Sequence, residues 1–190
     1  MIALLASFLI ATNAPAAEVI ANCRTMVPAD VELKGRIVLR NRRGISQAEY
    51  DYDLVRKAGE TGLRLFLGGR EVAFEKSGQI LGTDVTWSDL TLDYLWWDDF
   101  SYDAAREGET VHGQTCTVIV MKKGERTVRV WVDRKTGALM QAEEEKDGKA
   151  VRRLWGTRIK KFGERWMANV MEVETIGSGH RTKITVEELK

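Results

Sequence analysis

Residues Gly82–Phe100 read GTDVTWSDLTLDYLWWDDF, a long interval with neither the alternation of a β-strand nor the glycine of a hairpin turn. Thr86 followed by Asp89 approximates a capping box, which indicates that a helix begins here. Apolar side chains then recur at helical spacing, whereas Asp89 and Asp93 fall on the opposite side. The segment from Thr86 to Trp97 is therefore predicted to be an amphipathic helix lying across the face of a β-sheet.

The apolar side chains of this segment, together with methionines of later strands, are candidates for a lid and for the lining of a cavity. Methionine suits space of irregular shape that can be emptied and refilled. Ordinary core packing is the alternative interpretation of each residue. The candidate ligand-binding residues are Trp87, Leu90, Tyr94, Leu95, Trp96, Trp97, Phe100, Met121, Met140 and Met171.

The first 17 residues have the composition of a secretory signal peptide. Residues 2–11 are uncharged and apolar, and small residues follow at the spacing that signal peptidase cleaves. Ten apolar residues are too few to span a bilayer, which takes about 20. We therefore expect a cleaved signal peptide at residues 1–17, one domain at residues 18–190, and a periplasmic location.

The charge balance excludes one class of partner. The chain of 190 residues has 29 Lys and Arg against 28 Asp and Glu, which gives a formal net charge of +1. A nucleic-acid-binding protein is expected to be strongly basic, so no nucleic-acid partner is predicted.

The chain has two cysteines, Cys23 and Cys116. In an oxidising compartment such a pair can form a disulfide. Their spacing alone does not show that they meet, so free thiols remain the alternative. Cys23 as a lipid-anchored residue is not expected, because Asn22 stands where a small residue is required.

The remainder of the chain is typical of antiparallel β-structure. Apolar residues alternate with charged ones and glycine-containing turns separate the runs, so short hairpins join neighbouring strands. This pattern predicts a mainly β (α+β) fold, an incomplete and curled antiparallel β-barrel of about ten strands covered by one or two short helices. The strand candidates after the helical segment are residues 115–121, 127–133, 138–144, 151–160, 165–175 and 181–189.

Such a fold has more apolar inner surface than two short helices can cover. A full core ordinarily requires a second sheet or several helices. The curled sheet is therefore expected to leave either an apolar cavity or an oligomer interface.

Four segments of the chain are informative together: GTDVTWSDL at residues 82–90, GQTC at 113–116, VWVDRKTG at 130–137 and GHRT at 179–182. They resemble segments of the outer-membrane lipoprotein-sorting family, the LolA-like periplasmic carriers. They occur in the order that the family shows, and the match covers roughly residue 31 to the C-terminus. Trp96, Trp97 and the cysteine pair depart from the family pattern.

The resemblance implies a function. The LolA-like family has an incomplete barrel closed by helices around an apolar cavity. This cavity shields lipoprotein acyl chains or another amphiphilic lipid on the way to the outer membrane. Inner- and outer-membrane transfer proteins are the implied partners. The lid is expected to move, so polar replacements of Leu90, Leu95 and Trp96 are expected to weaken capture of a fatty acid.

Enzymatic function is not expected. His112 and His180 are not at metal-ligand spacing with the cysteines, and no nucleophile elbow or phosphate-binding loop is present. No catalytic residues, metal or cofactors are therefore predicted. The alternatives to a carrier are a non-enzymatic periplasmic sensor or protein-interaction module on the same scaffold, and a structural domain of an envelope complex.

Overall fold

The computed structural model describes residues 16–27 and 30–190. The helices in these ranges are α1 (Ala16–Met26) and α2 (Trp87–Thr91), with 3-10 turns at Ile80–Gly82, Asp93–Trp96 and Ala104–Arg106. The strands are β1 (Val31–Asn41), β2 (Ser46–Lys57), β3 (Glu60–Leu67), β4 (Arg70–Val72), β5 (Asp99–Tyr102), β6 (Thr110–Val111), β7 (Gln114–Lys123), β8 (Arg126–Asp133), β9 (Leu139–Lys146), β10 (Lys149–Phe162), β11 (Arg165–Thr175) and β12 (His180–Leu189). The signal-peptide prediction falls mainly on residues 1–15, outside the described residues.

The strands form a single open sheet. Their order is β4-β3-β2-β1-β12-β11-β10-β9-β8-β7-β5, and β6 pairs with β7 outside this path. Every pairing is antiparallel, and β1 pairs with β12 at the middle of the sheet. The predicted mainly β, incomplete barrel with short covering helices is confirmed. The described residues contain twelve strands rather than about ten, because three pieces of only two to four residues also pair.

β-Bulges bend the sheet. One lies between Lys34 and Gly35 of β1, and another lies in β10 between Gly156 and Arg158. A bulge adds a residue to one strand and increases its local twist. At Gly35 a side chain would not fit, because its Cβ would lie 2.9 Å from the ring of Tyr52. The bend makes one face concave, and both helices cover that face.

Buried apolar residues form three clusters. The α1 cluster contains Ile20 and Cys23 of α1 with Ile119 and Met121 of β7. The α2 cluster joins Leu90 and residues near α2 to the other half of the concave face. The outer cluster lies on the opposite face of the sheet, since it contains Cys116 and Val118, which alternate with Ile119 and Met121 along β7. Its members are Val111, Cys116, Val118, Trp131, Ala138 and Met140.

The predicted continuous helix from Thr86 to Trp97 is wrong. The capping box of Thr86 and Asp89 is present and starts α2, but Leu92 adopts the left-handed conformation, with φ 52° and ψ 34°. A left-handed residue ends a helix. The chain then makes the separate 3-10 turn at Asp93–Trp96, so the covering segment is two short pieces that meet at a sharp bend.

Candidate functional site

An apolar cavity of about 80 Å³ lies between the concave face of the sheet and the covering segments. The sheet contributes residues of β1, β2, β9, β10, β11 and β12. Met26 at the end of α1 and Val27 after it line the cavity from one side, and Leu90 of α2 and Leu92 at the bend line it from another. Arg56 and Asp89 are the only charged residues among those that line it. The cavity therefore favours a hydrocarbon ligand over a polar one.

The cavity lies beside a gap in the sheet. β11 and β12 pair only between Val170↔Thr185 and Val173↔Thr182, although β11 extends back to Arg165 and β12 extends on to Leu189. Met167 on the unpaired part of β11 and Val186 on β12 both line the cavity. The two strands therefore stop pairing beside the cavity.

We call the covering segment from Asp84 to Trp97 the cover. Asp84 fixes its start to the sheet. Its carboxylate accepts hydrogen bonds from the backbone N–H of Thr175, at 3.1 Å, and from the hydroxyl of Thr182, at 3.0 Å. Its own backbone N–H is 2.9 Å from the same hydroxyl. These bonds join the residues before α2 to the ends of β11 and β12, so the start of the cover is held to the sheet at three points.

Arg152 of β10 makes the second anchor. Its guanidinium forms a buried ion pair with Asp89 and donates to the carbonyl oxygen of Asp84 at 2.6 Å and to Glu144 at 3.2 Å. Burial raises the pKa of Asp89, and the guanidinium of Arg152 opposes that rise. Burial alone would lower the pKa of Arg152, but Asp89 and Glu144 raise it. The prediction that Asp89 lies on the solvent side of the helix is wrong, because this distant arginine draws its carboxylate inward.

Arg56 and Arg24 hold the second half of the cover. Arg56, which is buried on β2, donates to the carbonyl oxygen of Thr91, and its guanidinium lies 5.3 Å from the ring of Trp96. Arg24 of α1 donates to the carbonyl oxygen of Leu95 at 2.6 Å. A second bond, 3.3 Å long, joins Arg24 to the carbonyl oxygen of Trp97. These bonds satisfy carbonyl groups that the interrupted helix leaves without intrahelical partners.

The structure divides the ten predicted ligand-binding residues among four places. Leu90 and Met171 line the cavity. Tyr94, Leu95, Trp97 and Met121 are buried in the α1 cluster, and Phe100 packs against it. Met140 belongs to the outer cluster, on the far face of the sheet. A ligand-binding role for these residues stays a prediction.

Trp87 and Trp96 lie beside an open groove on the other side of the cover. Trp87 stacks on Phe74, with ring centroids 6.4 Å apart, and the ammonium of Lys76 is 4.3 Å from its ring. Trp96 keeps 42% of its surface exposed. Arg56 lines both this groove and the cavity, so it stands between the two spaces.

Of the two alternatives for the cysteine pair, the structure has free thiols and not the possible disulfide. Cys23 and Cys116 are both buried and free. Cys23 belongs to the α1 cluster on the concave face, whereas Cys116 belongs to the outer cluster, so the sheet separates them. Burial raises the pKa of the Cys23 thiol to about 12 and that of Cys116 to about 11. Both thiols are therefore protonated and unreactive at neutral pH.

Sequence reasoning missed the polar residues that position the cover. Arg56 had a visible signal, since it continues the inward-facing positions of Tyr52 and Leu54 along β2. Arg152 and Asp84 had none for the contacts that join the cover to the sheet, because the partners in those contacts lie 63 to 98 residues away along the chain. Within the described ranges, no cluster of His, Cys, Asp or Glu is placed to hold a metal ion. No helix of the described residues is long and apolar enough to cross a membrane.

Comparisons with known proteins agree with this architecture. A family model described as "-like: Uncharacterized protein" matches residues 70–190. A LolA superfamily protein from Nitrosomonas europaea has 15% identity, 94% coverage of both chains and a TM-score of 0.66. A DUF1329 family protein from Desulfovibrio piger has 16% identity, coverage of 94% of this chain and 93% of that chain, and a TM-score of 0.65.

A third similar structure is a putative outer membrane lipoprotein-sorting protein domain from Vibrio parahaemolyticus. It shares 15% identity, covers 91% of this chain and 90% of its own, and has a TM-score of 0.64. No curated protein sequence matches the chain. The predicted resemblance is confirmed: the chain belongs to the family whose model matches residues 70–190, and its fold is that of the LolA-like, outer-membrane lipoprotein-sorting proteins.

Proposed function

We propose that this chain is a non-enzymatic periplasmic carrier that shields the acyl chain of a lipoprotein or of another amphiphilic lipid. The observation that carries the proposal is the apolar cavity under a two-piece cover, next to the gap between β11 and β12. The similar structures named for lipoprotein sorting support a carrier role. Delivery toward the outer membrane and exchange with transfer proteins in the two membranes are part of the proposal.

Hydrocarbon burial supplies enough free energy for such a role. An acyl chain of about 16 carbons gains up to roughly 12 kcal/mol, at about 0.8 kcal/mol per methylene, before the entropic cost of binding is subtracted. No polar group has to contribute. A net binding free energy of a few kcal/mol would therefore remain after the entropic cost of immobilising the ligand is subtracted.

The cavity must expand to hold a whole chain. Its volume of about 80 Å³ accommodates only a handful of small groups, each about the size of a water molecule. Expansion can occur where β11 and β12 no longer pair, because the ladder between these two strands ends there. Arg56 at the wall can then meet the polar end of the ligand.

Binding of a fluorescent fatty acid tests the proposal. Met171→Glu places a carboxylate in the cavity and is expected to weaken binding at least about tenfold, because a charge in apolar surroundings is costly. Val120→Glu is the matched control, since Val120 is also partly buried on a strand but faces away from the α1 cluster, opposite Arg129. Equal binding by the wild type and Met171→Glu would exclude the cavity as the site.

The second candidate function is an interaction module, and the groove beside Trp87 and Trp96 favours it. Trp96 is 42% exposed beside this groove, and tryptophan is enriched among the residues that contribute most to protein–protein binding. In that case Trp96→Ala would weaken binding of a protein partner, and Met171→Glu would not. The acyl-chain assay therefore separates the two candidates.

A further inference from the structure

One β-hairpin projects beyond its neighbours in the sheet. The last pairing of β10 with β9 is Trp155↔Gln141, and the first pairing of β11 with β12 is Val170↔Thr185. Between these points β10 and β11 pair only with each other, from Arg158↔Val170 to Phe162↔Arg165. We call residues 157–169 the projecting hairpin. It stands beside the gap that borders the cavity.

The projecting hairpin concentrates positive charge. Its cations are Arg158, Lys160, Lys161 and Arg165, all exposed, and Glu164 is its one carboxylate. The hairpin therefore carries a net charge of +3, although the whole chain carries only +1. Among the described residues, the ion pair formed by these cations is Lys161 to Glu164, at 3.3 Å, and that carboxylate is 95% exposed.

Apolar side chains accompany these cations. Trp166 keeps 37% of its surface exposed, and both Trp166 and Met167 line the cavity. Phe162 lies at the turn and is half-buried. Tryptophan beside lysine and arginine is the composition of segments that sit at the interface of a membrane with water. The same hairpin thus connects a cationic, aromatic surface to the apolar cavity.

We propose that the projecting hairpin docks the protein on the surface of an anionic phospholipid membrane. Docking brings the gap between β11 and β12 to the bilayer, where an acyl chain can pass between membrane and cavity. Only the passage of the acyl chain rests on the proposed function; the docking does not. An acidic protein could also pair with these cations. Binding of such a protein would not explain why Trp166 and Met167 border an apolar cavity.

Co-sedimentation with phospholipid vesicles tests the docking. The wild type is expected to bind vesicles that contain phosphatidylglycerol and to bind phosphatidylcholine vesicles weakly, with affinity that falls as salt is added. Each Lys or Arg near an anionic surface contributes about fivefold in affinity, so Lys160→Gln with Lys161→Gln should lower binding about 25-fold.

The matched control removes two charges at the other end of the sheet. Arg42→Gln with Arg43→Gln alters the exposed turn between β1 and β2, which lies next to the start of β12. The projecting hairpin lies near the opposite end of β12. This variant should bind vesicles as the wild type does. Equal losses in both variants, or equal binding of the wild type to both kinds of vesicle, would overturn the docking proposal.

Fatty-acid binding without vesicles separates the two proposals. Both charge variants should bind the fluorescent fatty acid normally, because none of the four altered residues lines the cavity. Vesicle binding without fatty-acid binding would overturn the carrier function and leave the docking surface intact. Fatty-acid binding without vesicle binding would overturn the docking proposal and leave the carrier function intact.

Discussion

Arg56 occupies a position that strand alternation assigns to an apolar residue. It follows Tyr52 and Leu54 on the concave side of β2, and all three are buried. Burial lowers the pKa of Arg56, which measures how unfavourable the surroundings are for a charge. The hydrogen bond to Thr91 and the contact with Trp96 offset this cost. The arginine is therefore explained by its position beneath the cover.

Replacing this arginine should destabilise the fold. Arg56→Met leaves the buried Thr91 carbonyl without its donor, and we expect a loss of about 1–3 kcal/mol in the free energy of unfolding, measured in urea. Arg64→Met is the matched control. Arg64 also lies over an aromatic ring, that of Phe66, and bonds Glu71, but it is exposed to solvent, so the loss in unfolding free energy should be much smaller. Equal losses would mean that the Thr91 bond is unimportant.

The buried thiol of Cys23 makes stability depend on alkaline pH. Its pKa is raised by burial from an ordinary value of 9.0 to about 12, so the folded state keeps a proton that the unfolded chain loses. This contribution is complete below pH 9.0 and is lost as the pH rises to about 12, at about 1.4 kcal/mol per pH unit. Cys23→Ala should flatten the decline of unfolding free energy in that range. An unchanged slope would contradict the assignment.

At the scale of elements, α1 is held to the cover by Arg24. Both of its hydrogen bonds go to backbone carbonyls, those of Leu95 and Trp97, and its guanidinium is 5.9 Å from the ring of Phe100. Cys23 is the neighbouring residue and is fully buried beneath the helix. The accessibility of this thiol therefore reports whether α1 has moved away from the sheet.

Arg24→Ala should make α1 open more often. Loss of charged hydrogen bonds costs about 1.5–3 kcal/mol, so labelling of Cys23 by a thiol reagent should become about 10 to 100 times faster. Cys116 provides the internal control, since it is buried in the outer cluster, away from α1. Faster labelling of both thiols would indicate general unfolding instead of movement of α1.

The elements also show what patterning can and cannot predict. Alternation predicted β1 and β2 because a half-buried strand needs one apolar face. This requirement is the same whichever element packs against that face. The capping box predicted where α2 starts, since Thr86 and Asp89 interact within one turn. Nothing local predicts that Leu92 turns left-handed or that Asp89 is drawn inward. The buried partner of Asp89 is Arg152, and the donor to the carbonyl oxygen of Thr91, just before Leu92, is Arg56; only the folded sheet brings these two arginines near.

At the scale of the whole molecule, the sequence predicted the kind of sheet but not the place of its gap. Hairpin turns make consecutive strands neighbours. The pairing of β1 with β12 and the early separation of β11 from β12 join distant parts of the chain and leave no local signal. This explains why only Leu90 and Met171 of the predicted residues line the cavity. The others were selected for apolar character, which core and cavity residues share.

Ligand binding should stabilise the whole molecule, because only the folded chain has a cavity. A fatty acid at about 100 times its dissociation constant adds about 2.7 kcal/mol. For a chain of 190 residues, about 2–4 °C per kcal/mol gives a rise in Tm of about 5–10 °C by calorimetry. Val120→Glu should show the same rise, and Met171→Glu should show at most about half of it, because a tenfold weaker affinity leaves about 1.4 kcal/mol at the same fatty-acid concentration and only Met171 lines the cavity. A wild type whose Tm does not respond to the fatty acid would have no cavity able to expand around an acyl chain.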